Sequence, residues 1–117
     1  MTDMTRNPVA ATVRETTDAE FAADVLSAGP PVLVQFTAVW CGPCRQLKPV
    51  LAALAAEEEG RLRVVEIDVD RNPATTARYG VLATPTLLVF QDGEPVKSLV
   101  GARPKRKLRE ELADVLA

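Results

Sequence analysis

The chain has no histidine, and among its 117 residues there are only two cysteines, one tryptophan and one tyrosine. Without an imidazole, Ser–His and Cys–His nucleophilic mechanisms are excluded. No apolar run approaches the roughly 20 residues that a membrane-spanning helix needs. Met1–Ala10 carries Asp3, Arg6 and Pro8 and lacks the apolar stretch of a secretion signal. A net charge of −2, from 14 basic and 16 acidic residues, provides neither a broad basic field for nucleic acid nor a polybasic membrane anchor. The expectation is a single-domain cytoplasmic monomer with no nucleic-acid or membrane partner.

The chemistry that remains is concentrated in Trp40-Cys41-Gly42-Pro43-Cys44. Two cysteines three apart can close a small disulfide ring and reopen it. In a reducing compartment such a pair is transient and catalytic rather than a staple. The alternative is half of a zinc site. That needs two further ligands, and the chain has no other cysteine and no histidine.

Periodicity places this motif in an alternating pattern of strands and helices. Residues 1–10 are polar and unpatterned and read as a flexible tail ahead of one domain at 11–117. Ala11–Glu15 reads as a short edge strand. Thr17 and Glu20 form a capping box for a helix with Phe21, Val25 and Leu26 on one face and Gly29 at its end. Pro31–Thr37 has the apolar character of a central strand covered on both faces. Leu47, Val50, Leu51, Leu54 and Ala55 then recur at helical spacing up to Gly60, with Pro49 expected to kink that helix. Leu62–Val69 reads as a strand, and Asn72-Pro73 as a cap opening a short helix that Gly80 ends. Thr86–Phe90 and Pro95–Val100 pair through Asp92-Gly93, a hairpin signal. Pro104 opens a last helix with Leu108, Leu112, Val115 and Leu116 inward. The order β-α-β-α-β-α-β-β-α predicts an α/β fold with parallel crossovers early and an antiparallel hairpin edge.

In such sheets, sites form beyond the carboxyl ends of strands, where helix N-termini gather. Cys41 falls at such a junction, where a helix N-terminus stabilises the attacking thiolate. Cys44, one turn on, is expected to be the more buried thiol. Proline at position 43 is tolerated because first-turn N–H groups have no intrahelical partner.

From about Ala11 to Leu116 the sequence resembles the thioredoxin family. The resemblance rests on VLVQFTAVWCGPCRQLKPVL (Val32–Leu51), IDVDRNP (Ile67–Pro73), YGVLATPTLLVFQDGE (Tyr79–Glu94) and LVGA (Leu99–Ala102). It implies the thioredoxin fold, a central mixed sheet flanked by helices on both faces. It also implies a protein-disulfide reductase, a two-electron carrier with no bound cofactor, reduced by NADPH through a thioredoxin reductase and acting on disulfide-containing client proteins. Carried over residue by residue, Cys41 is the nucleophile, Cys44 resolves the mixed disulfide, and the two form the redox-active disulfide. Trp40, Gly42, Pro43, Thr84, Pro85, Gly101 and Ala102 line a client groove, with Thr84-Pro85 cis. Locally, Trp40 also reads as a packing aromatic, Gly101 as a strand-end turn, and Arg103, Lys105, Arg106, Lys107 and Arg109 as a solvated helix start.

Three positions depart from the family pattern. The buried acid of the strand before the motif is Gln35, the neighbouring aromatic is Thr37, and the lysine that faces the acid is Glu66. The first and third changes look reciprocal, and two readings of them stand: proton transfer by Glu66 with Gln35 orienting it, or a Glu66 that reaches solvent beside a Gln35 that fills space. They also leave room for two other functions: a specialised thioredoxin-like oxidoreductase with narrow clients, or a non-turnover binding module using the same groove.

Overall fold

The apolar run that starts at Val32 becomes the centre of the molecule. In the computed structural model, which describes residues 13–117, the chain forms β1 (Val13–Glu15), α1 (Ala22–Leu26), β2 (Val32–Thr37), α2 (Gly42–Glu57) and β3 (Arg63–Asp68). There follow α3 (Pro73–Arg78), β4 (Thr86–Gln91), β5 (Glu94–Val100), α4 (Lys105–Glu111) and α5 (Ala113–Leu116). The expected tail at 1–10, and Ala11 and Thr12 of the expected edge strand, lie outside the described residues.

The five strands make one mixed sheet in the order β1-β3-β2-β4-β5. β1 and β2 run parallel to β3, while β4 is antiparallel to β2 and β5 to β4. The antiparallel half therefore begins one strand before the hairpin alone implies. The connection from β3 to β4 runs through a six-residue helix and returns the chain to the sheet at the end where β3 finishes, with Asp68 opposite Thr37 and Thr86 opposite Phe36.

β2 is buried on both faces. Leu33 packs with Leu47, Leu51 and Leu54 of α2 and with Leu108 of α4. Val32, Val34 and Phe36 face the other way, toward Phe21, Val25, Ile67 and Phe90. Each such side chain contributes about 1.5–3 kcal/mol on burial. Phe21, Tyr79 and Phe90 form a tilted and edge-to-face trio with centroids 5.1–5.7 Å apart. The hairpin turns at Asp92 (φ 54) and Gly93 (φ 81), the paired left-handed conformations of a type I′ turn. A Cβ at Gly93 would also come within 3.3 Å of the Leu26 carbonyl oxygen.

Three local expectations are corrected. The first helix is a single π-type turn in which Ser27 N–H closes on Ala22 O (2.9 Å), and Arg63 Nη1 takes the Asp24 carbonyl near its end (2.9 Å). Of the capping box, the Glu20 N–H to Thr17 Oγ1 bond forms (3.2 Å). The last helix splits at Leu112. Lys97 Nζ donates to the Glu111 carbonyl (2.9 Å), the acceptor a continuous helix would offer to Val115, whose N–H bonds to Leu112 O instead (2.9 Å). Val115 and Leu116 still pack on the core, and Pro104 stands at the N-cap rather than inside the helix. α2, by contrast, runs unbroken through Pro49.

The third correction concerns α3. Asn72 occupies its N-cap but makes no side-chain capping bond. Its amide instead bridges Asp18 N–H (2.7 Å) and Asp68 O (2.9 Å). Asp18, more than fifty residues away, is the cap: its carboxylate accepts from Ala74 N–H (3.1 Å) and Thr75 N–H (2.8 Å). Hydrogen bonding from the Thr75 side chain first, then from the Thr75 and Ala74 backbone, holds the Asp18 carboxyl below its ordinary 3.8. A depressed folded-state pKa gives stability that is present above the unfolded value and lost as pH falls through the folded one. Asp18→Ala should therefore lower the urea midpoint at pH 7. The difference from wild type should hold down to about pH 5 and fade below about pH 4. Equal midpoints at pH 7 would remove Asp18 from the cap.

Candidate functional site

The motif occupies the turn from β2 into α2, at the carboxyl end of the central strand. Cys41 is the N-cap of α2 in extended backbone (φ −93, ψ 104), and its Sγ accepts the Cys44 N–H at 3.2 Å. Pro43 lies in the first turn, where its missing N–H leaves no intrahelical bond unmade. Cys41 and Cys44 are joined as a disulfide, with Cα atoms 5.3 Å apart. The expected contrast in burial is absent. Both cysteines are 3% exposed, because the closed ring turns both sulfurs against Ala38 and Val69. What distinguishes them is position: Cys41 caps the helix, and Cys44 lies within it.

Next to this buried ring in the chain, Val39 is 76% and Trp40 65% exposed, and toward the same end of the sheet Leu82 is 97% and Val100 60% exposed. Trp40 is not loose packing. Its indole N–H donates to Asp70 Oδ2 at 2.8 Å, and Asp70 N–H is itself held by Asp68 Oδ1 (2.8 Å). Arg45 Nη1 ties down the Val39 carbonyl (2.8 Å). A Cβ at Gly42 would meet nothing nearer than the Arg45 guanidinium at 3.9 Å, so the space above Gly42 is open to an approaching backbone.

Strand register brings the residues expected to line a groove to the same end of the sheet. Phe36 pairs with Thr86, and Thr86 with Val100, which sets Thr84-Pro85 and Gly101-Ala102 beside the turn that leads to Cys41. The Thr84–Pro85 bond is cis. Gly101, at φ 98, donates its N–H to Pro85 O at 2.9 Å, so it is a strand-end turn fixed against the cis proline. Arg103 braces that turn, donating to Val100 O (2.6 Å) and Gly101 O (3.2 Å) and pairing with Glu111 (2.6 Å). The other basic residues serve the helices. Lys105 and Arg109 pair with Glu57, Arg109 also reaches Glu58 (2.7 Å), and Arg106 pairs with Glu110 (3.1 Å).

Behind Cys44 is a cavity of about 360 Å³, reached by Thr37, Lys48, Glu66 and Asp68 among others. Gln35 and Glu66 are neighbours in the β2–β3 register, as expected for reciprocal positions. The role expected for Gln35 is corrected. Its Nε2 donates to the Cys44 carbonyl (3.4 Å), while Glu66 pairs with Lys48 (3.3 Å). The sequence reading missed Lys48, Asp70 and Arg103. Only Asp70 had a local signal, the acidic strand end Ile67–Pro73. Among the described residues no cluster of three or more His, Cys, Asp or Glu is placed to hold a metal, and no helix is long and apolar enough to cross a membrane.

The thioredoxin family model matches residues 12–114. A thioredoxin of Mycobacterium tuberculosis is 50% identical over 113 residues, 97% of this chain and 97% of its own. A thioredoxin of Streptomyces clavuligerus is 51% identical over 100 residues, 86% of this chain and 92% of its own. The bifunctional thioredoxin reductase/thioredoxin of Mycobacterium leprae is 47% identical over 115 residues, 98% of this chain and 25% of that protein.

Trp40, adjoining Cys41 and the chain's one tryptophan, should report the state of the ring. A disulfide quenches a neighbouring indole, so reduction with dithiothreitol should raise its emission. Asp70→Ala should red-shift that emission as the indole N–H loses its partner. An emission spectrum blind to both changes would mean that Trp40 is not held against the motif.

Proposed function

This chain belongs to the thioredoxin family of thiol–disulfide oxidoreductases, and we propose that Cys41 is its nucleophile and Cys44 its resolving thiol. The observation that carries the assignment is the N-cap: Cys41 Sγ already accepts a helix N–H from Cys44, the interaction that stabilises a thiolate once the ring is opened. In the reduced protein the Cys41 thiolate attacks one sulfur of a client disulfide and expels the other as a thiolate. Cys44 then loses its proton and attacks Cys41 Sγ. The Cys41–client bond breaks, the client leaves as a dithiol, and the Cys41–Cys44 disulfide holds the two electrons' worth of oxidation.

Trp40, Gly42, Pro43, Thr84, Pro85, Gly101 and Ala102 form the client groove in this reading. The exposed apolar side chains beside the buried ring and toward the same end of the sheet support it, as does the open space above Gly42. An extended client segment would lie there as an added strand. Two electrons return from NADPH through a thioredoxin reductase, a reading supported by the Mycobacterium leprae relative, in which a thioredoxin reductase and a thioredoxin share one chain. The protein itself binds no cofactor, works as a monomer, and acts in the cytoplasm, where a vicinal cysteine pair is kept exchangeable.

The test is insulin reduction coupled to NADPH oxidation through a thioredoxin reductase. Wild type should turn over. Cys41→Ser should abolish activity, and Cys44→Ser should accumulate as a mixed disulfide with insulin. In the reduced protein, iodoacetamide should modify Cys41 first. Faster alkylation of Cys44 would reverse the two roles. Activity with dithiothreitol but none with the reductase would assign a different electron donor and a narrower client set. Binding of insulin without turnover would leave only a client-holding module.

A further inference from the structure

Resolution of the mixed disulfide requires the Cys44 thiol to lose a proton inside the protein, and Gln35, the side chain bonded to its backbone, cannot take one. Gln35 is 1% exposed and donates its amide to the Cys44 carbonyl; an amide is no base at neutral pH. The space that Cys44 shares is the cavity of about 360 Å³, room for several waters at about 30 Å³ each. Its charged wall is made by Glu15 from β1, Glu66 and Asp68 from β3, and Arg45 and Lys48 from α2.

These groups are not equivalent. Arg45 is cationic and committed to the Val39 carbonyl. Asp68 Oδ1 is occupied by Asp70 N–H (2.8 Å) and Arg71 N–H (3.2 Å), and so serves the turn that follows β3. Glu15 lies on the outer strand and is exposed. Glu66 is in register with Gln35 on the α2 face of the sheet, and its side chain is only 18% exposed. Its one ion-pair partner among the described residues is Lys48, 61% exposed and 3.3 Å from Oε2, on the same helix as Cys44 and one turn further on.

We propose that Glu66, positioned by Lys48, accepts the proton that Cys44 sheds during resolution, through water in the cavity behind it. The step rests on the assignment of Cys44 as the resolving thiol. The proton moves from Cys44 Sγ by way of water to a Glu66 carboxylate oxygen, the thiolate attacks Cys41 Sγ, and the client sulfur departs with its electron pair. Glu66 returns the proton to solvent through the mouth of the cavity. In re-reduction the direction inverts, and Glu66 protonates the Cys44 thiolate as it leaves the ring.

The probe is the aromatic disulfide 5,5′-dithiobis(2-nitrobenzoate), mixed with reduced protein under single-turnover conditions. Attack by Cys41 releases one chromophoric thiolate and resolution by Cys44 releases the second, so the two phases separate the steps. Glu66→Gln, isosteric and neutral, should leave the first phase near wild type. It should slow the second roughly tenfold to a hundredfold, at or below the usual contribution of a positioned base. Added acetate should restore the second phase in Glu66→Gln and leave wild type unmoved, a rescue that a structural role would not show. Glu66→Asp should keep more of the rate than Glu66→Gln, and Asp68→Asn should keep both phases. A second phase untouched in Glu66→Gln, or slowed in Asp68→Asn instead, overturns the proposal. Wild type that releases only one chromophore would instead overturn the role of Cys44 on which the proposal rests.

Discussion

A helix capped by a sulfur sets the terms for the rest of the molecule. For Cys41 Sγ to receive the Cys44 N–H at 3.2 Å, the backbone must be extended at Cys41 and helical from Gly42 onward. That geometry is held from below. Leu47, Leu51 and Leu54 press α2 onto Leu33, and all four are at most 1% exposed. Two strands on either side hold β2 in the middle of the sheet. The placement of α2 is thus bought by the core, while the site itself contributes little packing. The two cysteines share one small cluster with Ala38, and beyond them the surface opens.

That division explains what was legible in the sequence. Burial is encoded locally, because an element's own pattern says which face is apolar. The run at Val32–Thr37, the leucine spacing of α2 and the Asp92-Gly93 turn could all be read in advance. The cysteine pair was legible for the same reason, since its spacing is a property of five consecutive residues. Backbone polar groups are another matter. An N–H or C=O can be satisfied by any donor or acceptor that the fold brings near, and sequence proximity does not reveal which one arrives. Arg63 takes the Asp24 carbonyl near the end of the π turn α1. Lys97 takes the Glu111 carbonyl and divides the last helix. Asp18 caps α3 from the segment between β1 and α1. Each is a long side chain or carboxylate intercepting a helix end, and each falls where the local reading went astray.

The site shows the same limit at higher stakes. Gln35 and Glu66 were recognisable as linked departures, but their partners were not. Parallel pairing sets residues 35 and 66 side by side on one face, so a carboxylate can sit at either position and still border the space behind Cys44. The two positions differ in what surrounds them. At 35, in the central strand, the side chain is enclosed and its polar end must find a partner within the protein. At 66, one strand outward, an exposed lysine on α2 is within reach, and the cavity admits solvent. A charge costs less to hold there, because water and Lys48 share its stabilisation.

The exchange also redistributes work among the neighbours of Cys44. With an amide at 35, the enclosed position becomes a donor, and the Cys44 carbonyl in the first turn of α2 is its acceptor. An acid in that place would have no proton to offer the carbonyl once ionised. The amide therefore adds a fixed restraint on the backbone of Cys44, while the carboxylate stands at a position with a route to water. Under the proposed proton transfer, orientation and proton acceptance, which a single buried acid would have to combine, are separate along one rung of the sheet. Lys48 completes the division. It lies on the helix that carries Cys44, so the ion pair to Glu66 ties β3 to α2 beside the disulfide, and the orientation of the carboxylate is set by the same helix that positions the thiol.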